Sequence, residues 1–180
     1  MKTIGVILTD GFEELEAISV IDILRRATCN VEVISLSDSN VTGAHRITLI
    51  ADDIFDYYSS LDFDGIIFVG GMTNANLLSQ EQKIIDLINH YNDENKFIAG
   101  ICATSAIVFS KTNLKDRKMT CYPSENLMNY VANFVDEKVV VDDNLITSQS
   151  PSTAYEFALA CVNYLGYDDA SLRSEMRGGD

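Results

Sequence analysis

Residues 96–106 have the sequence KFIAGICATSA, and this stretch decides the fold. Its first half, Phe97–Ile101, is a continuous apolar run of strand length, which is typical of a strand buried on both faces of a parallel sheet. Its second half consists of small residues that favour a helix, predicted here over Ala103–Ser110. The stretch therefore predicts a strand, a sharp turn at Cys102 and a helix.

The same alternation of apolar strand and amphipathic helix precedes this stretch. Strands are predicted at Thr3–Thr9, Val31–Leu36 and Gly65–Val69, and helices at Glu13–Ala27 and Glu81–Tyr91. In the first helix, the apolar positions with helical spacing are Leu15, Ile18, Ile21 and Leu24, and in the second they are Ile84, Ile85, Leu87, Ile88 and Tyr91. Strands that alternate with helices form a parallel sheet covered on both faces, and these units are too few for an eight-stranded barrel. The sequence predicts an open α/β sandwich.

The remaining elements are shorter. We predict strands at Ile47–Ile50 and Met119–Tyr122, a helix at Glu125–Val131, a hairpin of Lys138–Val141 with Leu145–Ser148, and a helix from Pro151 to about Leu165 that stops at Gly166. A short helix is expected after Tyr167, followed by a frayed tail at residues 177–180. One domain over residues 1–180 is predicted, with a C-terminal extension from about residue 167.

Composition and charge restrict the classes of partner. Asp and Glu total 27 against 13 Lys and Arg, which gives a net charge of −14. Nucleic acids and anionic membranes are bound chiefly through basic patches, so neither is an expected partner. No apolar stretch has the roughly 18 residues that a membrane-spanning helix requires, and the N-terminus does not resemble a secretory signal. A cytoplasmic location is predicted.

The cysteines show no metal-binding pattern. Cys29, Cys102, Cys121 and Cys161 form no CxxC pair and no cluster with the two histidines, so no structural metal is expected. Cys29 and Cys161 are interpreted as packing residues. For Cys121 two interpretations stay open: a buried strand residue, which is favoured, or a thiol that resolves an oxidised Cys102 into a disulfide.

Cys102 lies where a helix would lower the pKa of its thiol. The unpaired N–H groups and the dipole of a helix N-terminus favour thiolate over thiol. About 2 kcal/mol from such a terminus would lower the pKa from about 8.5 to about 7. We therefore expect a reactive thiolate at Cys102.

A second candidate group lies in the loop after the first strand. Glu13 and Glu14 are interpreted as charges that favour the helix N-terminus. Glu16 lies one position past Leu15 and is a candidate proton donor or base beside the thiol. The loops at residues 9–16, 70–76 and 102–105 should meet at the carboxyl ends of the strands, where open α/β sheets bind ligands.

Four segments together resemble the ThiJ/PfpI superfamily, specifically its DJ-type (Parkinson-disease protein) branch. They are GFEELE at residues 11–16, FVGG at 68–71, AGICA at 99–103 and TSQSPSTAYEFA at 147–158. The resemblance covers residues 1 to about 165. It implies a flavodoxin-like three-layer sandwich with a mainly parallel sheet, related to class I glutamine amidotransferases, and a homodimer.

The resemblance also implies the roles of individual residues. Cys102 would be the nucleophile and Glu16 its protonated partner, while the backbone N–H groups of Gly71 and Ala103 would bind an anion or oxyanion. Preorganised N–H donors suit that task. Gly70, Tyr122 and His45 are candidate pocket residues. For His45 the alternative of a solvated loop residue stays open.

Two departures from the family pattern bear on activity. Many relatives place a histidine where this chain has Tyr122, whose reference pKa of about 10 excludes the role of a neutral-pH base. The peptidase branch has a histidine directly after the nucleophile, where this chain has Ala103. Peptidase activity is therefore the least expected.

The first functional hypothesis is an enzyme without cofactor or metal, which uses Cys102 and Glu16 on small reactive carbonyls or glycated adducts, as a glyoxalase or deglycase does. The second is a non-catalytic sensor of oxidative stress, or a chaperone-like protein, that is switched by oxidation of Cys102. A third, an assembly module that has lost its chemistry, is disfavoured by the intact Cys102 turn.

Overall fold

The structure is a computed structural model and describes residues 1–177. Its strands are β1 Thr3–Leu8, β2 Asn30–Ser35, β3 Asn40–Thr42, β4 Thr48–Ile50, β5 Asp53–Ile54, β6 Gly65–Phe68, β7 Phe97–Ile101, β8 Lys118–Met119, β9 Asn133–Phe134, β10 Val139–Asp142 and β11 Leu145–Ser148. Its helices are α1 Glu14–Arg26, α2 Met72–Gln80, α3 Gln82–Asp93, α4 Ala103–Ile107, α5 Glu125–Met128, α6 Ala154–Tyr164 and α7 Asp169–Met176.

Seven strands form the central sheet in the order β10-β11-β7-β6-β1-β2-β5. All neighbours pair in parallel except β10 and β11, which form the predicted antiparallel hairpin. Helices α1, α6 and α7 pack on one face and α2, α3 and α4 on the other, each over its own apolar core. The fold is the predicted flavodoxin-like α/β sandwich.

The inward face of α1 differs from the prediction. Ile21 and Leu24 are buried as expected, but Leu15 and Ile18 are exposed. The buried stripe of α1 is instead Glu14, Glu16, Ala17, Val20, Ile21, Ile23 and Leu24. The helix is therefore rotated so that Glu16 faces inward, and two large apolar side chains face outward.

Two helices near the carboxyl edge of the sheet also differ. The sequence places residues 70–76 in a loop, but α2 begins at Met72, after Gly71 has turned the chain. Its residues have weak helical periodicity, which explains why the pattern did not reveal it. The helix predicted at Ala103–Ser110 ends at Ile107 and is followed by a 3-10 turn at Phe109–Lys111.

The segment after residue 113 matches the prediction in part. The predicted strand at Met119–Tyr122 is limited to Lys118–Met119, which pairs with β9 in a separate small sheet. The final helix begins with a 3-10 turn at Pro151–Thr153 and stops before Gly166, whose φ is +86°. Helix α7 packs on the α1 and α6 face through Leu172. Most of the predicted frayed tail, residues 178–180, lies outside the described residues.

In the part of the chain that the structure describes, every helix is too short or too polar to cross a bilayer.

Candidate functional site

Cys102 lies at the turn between β7 and α4, in a backbone conformation that residues other than glycine rarely adopt. Its φ is 63° and its ψ is −129°. Its N–H donates to the carbonyl of Ser148 on β11 (2.9 Å), and its own carbonyl accepts from Tyr122 N–H (3.3 Å). These two hydrogen bonds hold a conformation that costs on the order of 1–3 kcal/mol. The thiol is half-buried, at the carboxyl edge of the sheet.

Glu16 reaches the same point from α1 and is fully buried. Its Oε2 accepts from Gly70 N–H (2.7 Å). Its Oε1 has no hydrogen-bond partner within residues 1–177. An unpartnered carboxylate oxygen in a dry site is costly, whereas a protonated carboxyl can donate to a neighbouring acceptor.

Gly70 leaves room for Glu16 to lie beside Cys102. A Cβ built on Gly70 would lie 2.6 Å from Cys102 Cβ and 2.6 Å from Glu16 Oε2. Glu16 and Cys102 therefore both border the space that a side chain at residue 70 would fill. Only a residue without a side chain allows this close approach.

Gly71 turns the chain at the start of α2. Its φ is +95°, and a Cβ there would lie 2.1 Å from the carbonyl oxygen of Gly11. The backbone N–H groups of Gly71 and Ala103 both act to lower the pKa of Cys102. The structure thus brings Cys102, Glu16, Gly71 and Ala103 together.

The environment raises the pKa of both members of the pair. Burial raises the pKa of Glu16 to about 8, against the opposing hydrogen bond from Gly70 N–H. Burial, followed by the negative charge of Glu16, raises the pKa of the Cys102 thiol. The predicted lowering of the Cys102 pKa considered only the helix terminus. It omitted burial and the neighbouring acid, and α4 is only five residues long.

The protonation state of Glu16 decides how it acts on the sulfur. The charge of Glu16 opposes the thiolate only while Glu16 is ionised. With a pKa of about 8, Glu16 is mostly protonated at neutral pH. A protonated Glu16 is a donor and stabilises the thiolate, as do the N–H groups of Gly71 and Ala103.

Two buried polar side chains that the sequence did not reveal hold the loops of this site. Asn74 on α2 accepts from Thr9 N–H (2.8 Å) and donates to the carbonyls of Val69 (2.8 Å) and Gly70 (3.2 Å). Thr104 donates to Val69 (2.6 Å). Asn74 thereby connects the loop that precedes Glu16 with the loop that carries Gly70. No pattern in the sequence identifies Asn74 as fully buried, so its role is apparent only from the structure.

Cys102 opens into a cavity of about 690 Å³. The cavity is lined by Glu13, Gly71, Met72, Asn76, Cys102, Ala103, Ile107, Tyr122, Ser124, Asn126, Leu127, Asn129, Tyr130 and Pro151. The candidate pocket residue Tyr122 therefore lines the cavity. The candidate pocket residue Gly70 is not among the lining residues, although it borders Cys102 and Glu16. His45 is not among the lining residues.

His45 lies instead in a cluster with Glu13 and Glu14. Glu14 is almost fully buried; its Oε1 accepts from the N–H groups of His45 (2.6 Å) and Ile47 (3.3 Å), and its Oε2 lies 2.9 Å from His45 Nδ1. Glu13 Oε2 lies 3.6 Å from the same nitrogen. Glu14 thus anchors the β3–β4 loop, and Glu13 lines the cavity, so neither is only a helix-terminus charge.

The ligand atoms of Glu13, Glu14 and His45 lie within 4.8 Å of one another. This spacing suits a metal ion by donor type, but the Glu14 oxygens are already used in hydrogen bonds to the loop. The hydrogen bond with Glu14 raises the pKa of His45, with smaller contributions from the charges of Glu13 and Glu14.

The other three cysteines are buried and free. Cys29 and Cys161 lie in the core under α1 and α6, as packing residues do. Cys121 is fully buried beside Tyr122, whose N–H donates to Cys102. Cys121 is buried as the favoured interpretation expects, but it lies beyond the end of β8 rather than in a strand, and its resolving role stays a prediction.

A flavodoxin-like sandwich with a strained cysteine turn and a buried acid beside it defines a class of α/β proteins with a nucleophile-elbow cysteine. The DJ-1/PfpI family model matches residues 2–164, and the chain belongs to this family.

Relatives agree in sequence and in fold. The Arabidopsis thaliana protein DJ-1 homolog B is 36% identical over 157 residues, which are 86% of this chain and 36% of that protein. The chain spans less than half the length of the two Arabidopsis relatives that it matches. The Drosophila melanogaster protein dj-1beta is 35% identical over 91% of this chain and 89% of its own.

A structure of Drosophila DJ-1beta matches with a TM-score of 0.89 and 31% identity, over 99% of this chain and 98% of its own. Two archaeal proteins named deglycases, from Thermococcus kodakarensis and Pyrococcus abyssi, are each 28% identical over 89% of this chain and 97% of their own.

Proposed function

We propose that the chain is a cysteine-dependent enzyme that converts small reactive carbonyl compounds, or their adducts with amines and thiols, into hydroxy acids. The observation that carries this proposal is that the buried Glu16, one of whose carboxyl oxygens has no hydrogen-bond partner in the described chain, lies beside Cys102 where Gly70 has no side chain. The names of the two archaeal relatives support it.

The chemistry needs no external oxidant or reductant. For methylglyoxal, the Cys102 sulfur adds to the aldehyde carbon, and Glu16 gives its proton to the carbonyl oxygen. Transfer of the hydrogen from the aldehyde carbon, as a proton through Glu16, to the ketone carbon leaves a thioester and an alcohol. Water then cleaves the carbon–sulfur bond, which releases lactate and restores the thiol. One carbon is oxidised and its neighbour is reduced.

The backbone N–H groups of Gly71 and Ala103 would stabilise the oxyanion in this sequence. Tyr122 lines the cavity at the position where many relatives have a histidine, and a phenol does not replace imidazole as a base at neutral pH. Proton transfer would therefore depend on Glu16 alone. Peptidase activity has no support from the residue that follows Cys102.

The test is lactate formation from methylglyoxal by the purified chain. We expect turnover that is abolished in Cys102→Ala and reduced by about 100-fold or more in Glu16→Gln, since positioned acid–base groups contribute about 10²–10⁴-fold. The variant Glu94→Gln, altered at the opposite edge of the sheet, should retain wild-type turnover. Lactate formation that persists in Cys102→Ala would overturn the proposal.

The second candidate is an oxidation sensor, because the half-buried Cys102 is the most accessible thiol in the part of the chain described by the structure. The same N–H donors that suit an oxyanion suit a sulfinate. Selective oxidation of Cys102 by peroxide, observed by mass spectrometry of a preparation that forms no lactate, would favour this function. A chaperone-like activity of the sensor would be tested by adding the peroxide-oxidised chain to an aggregating client protein.

We also propose that the chain forms a homodimer in the cytoplasm. The support for the dimer is the outward apolar face of α1, where Leu15 and Ile18 lie exposed near Ile47 of the β3–β4 loop. Because Ile47 N–H bonds to Glu14, the three side chains lie at the same end of α1. The acidic composition gives no support to nucleic acid or membrane partners.

A further inference from the structure

The cavity above Cys102 is much larger than a three-carbon aldehyde requires. Its volume of about 690 Å³ lies in the range of pockets that hold drug-sized ligands. Only a small part of this space lies next to the sulfur. The remaining walls therefore contact whatever is attached to the reacting carbonyl, and their chemistry sets which attachments are accepted.

Among the described residues, the walls of the cavity carry negative charge and no positive charge. Glu13 is the only charged side chain among the fourteen lining residues within the described chain, and Lys, Arg and His are absent from that set. Glu13 is held beside the reactive loop, because its backbone N–H donates to the carbonyl of Gly70 (3.0 Å). Its side chain is 16% exposed, so solvent screens it less than a surface carboxylate.

The nearest cation does not neutralise this wall. His45 lies 3.6 Å from Glu13 but 2.9 Å from Glu14, and it is the only basic group in the cluster. With His45 protonated, the three groups together carry one negative charge, and with His45 neutral they carry two. The net charge of this cluster is therefore negative in both states.

Two aromatic rings that line the cavity also favour cations over anions. Tyr122 and Tyr130 line the cavity and remain exposed, so their ring faces are available to an incoming group. A tyrosine face attracts cations through its quadrupole and does not favour anions. Asn126 and Asn129 add neutral hydrogen-bond donors and acceptors on the same segment.

We infer that Glu13 makes this site selective by charge: it accepts neutral carbonyl compounds and adducts that retain a positive charge, such as those of guanidino or amino groups, and rejects carboxylate-bearing carbonyls. This substrate class rests on the proposed function, since it concerns the same site. The N–H donors of Gly71 and Ala103 serve only the reacting oxygen at the floor of the cavity.

The test measures how the charge of the cavity affects the reaction of Cys102 with charged reagents, and it does not require turnover. Two methanethiosulfonate reagents, one with a trimethylammonium group and one with a sulfonate group, each form a disulfide with Cys102 and release methanesulfinate. Both react with the same thiolate, so the ratio of their rates cancels the thiolate fraction. The ratio is divided by that measured with 2-mercaptoethanol, which removes the intrinsic difference between the reagents.

We expect the corrected ratio to favour the cationic reagent by about tenfold, as a carboxylate within several ångströms produces near a protein surface. Glu13→Gln should lower the ratio at least about threefold, whereas Glu94→Gln, at the opposite edge of the sheet, should leave it unchanged. In the wild-type chain the ratio should also fall as salt is raised from about 0.01 to 0.5 M, which tests the inference even if Glu13→Gln does not fold.

A corrected ratio near one at low salt, or a ratio that survives Glu13→Gln, would overturn the inference while leaving lactate formation as the test of the function. A high ratio in a chain that forms no lactate would overturn the proposed function and leave the charge selectivity of the cavity established.

Discussion

At the scale of single residues, the site combines a strained backbone with a proton held in a dry environment. Cys102 has a positive φ although it carries a side chain, and strain of this kind persists only where surrounding hydrogen bonds enforce it. The bonds to Ser148 and from Tyr122 do so here. The sulfur is thereby held against Glu16, whose position in turn requires Gly70.

Glu16 should make the stability of the fold depend on pH. Its pKa is about 8 in the folded chain, against about 4.3 for an exposed glutamate. Between these values the folded chain binds a proton that the unfolded chain has released, so the free energy of unfolding falls as the pH rises. This stabilisation is complete below about pH 4.3 and is lost as the pH rises through about 8.

The variant Glu16→Gln cannot titrate and should lose less stability over the same range. Between pH 5 and 9 we expect the wild type to lose about 4 kcal/mol that the variant keeps, so the difference in melting temperature should change by roughly 8–16 °C in favour of the variant, at about 2–4 °C per kcal/mol. Thermal unfolding at several pH values measures this, with Glu94→Gln as the control. Parallel curves for wild type and Glu16→Gln would show that the buried carboxyl is not protonated.

The sequence pattern placed the loops that carry Cys102 and Glu16 at one edge of the sheet, because each follows a recognisable strand. The pairing of these two residues and the roles of Gly71 and Ala103 came from the resemblance to the family. The sequence did not reveal the burial of Glu14, the position of Glu13 in the cavity or the loop contacts of His45. These depend on how the β3–β4 loop folds back on α1, a contact between residues about thirty positions apart that no local pattern encodes.

At the scale of elements, α1 illustrates why an apolar spacing alone does not fix a helix face. Leu15 and Ile18 have the spacing of core positions, yet the stripe that contains Glu16, Ala17 and Val20 is the one buried. A buried glutamate is rare enough that the pattern favours the other face. Helix α2 was missed for a different reason, since its first turn contains Thr73 and Asn74, which have low helix propensity.

Asn74 on α2 connects two loops of the site by hydrogen bonds, and this structural role can be tested. Asn74→Ala leaves the buried N–H of Thr9 without an acceptor and frees the carbonyls of Val69 and Gly70. We expect a loss of about 2–4 kcal/mol in the free energy of unfolding, measured by urea denaturation. Asn76→Ala, an exposed asparagine on the same helix, should cost less than about 0.5 kcal/mol. Equal losses in the two variants would contradict this role.

At the scale of the whole molecule, the organisation as one domain with an extension from about residue 167 stays a prediction, although α7 packs on α1 and α6. The mainly parallel sheet and its two-sided packing followed from the alternation of strands and helices, whereas the order of the strands came from the structure. The assembly of the molecule depends on surfaces that such alternation does not describe.

The proposed dimer has a direct test in solution. Ile18→Lys places a charge in the exposed apolar face of α1 and should convert the dimer to a monomer, measured by size-exclusion chromatography with light scattering. Val141→Lys, at a somewhat more exposed valine on the edge strand β10, is the control and should leave the mass unchanged. A wild-type chain with the mass of a monomer would exclude the dimer.

The unequal burial of the four thiols has a practical consequence. Three of them lie inside the packed core, so a maleimide fluorophore offered to the native chain should attach at one position with unit stoichiometry, without any cysteine being replaced. A dye at that position would sit in the mouth of the cavity, and its emission would report in real time on whatever enters.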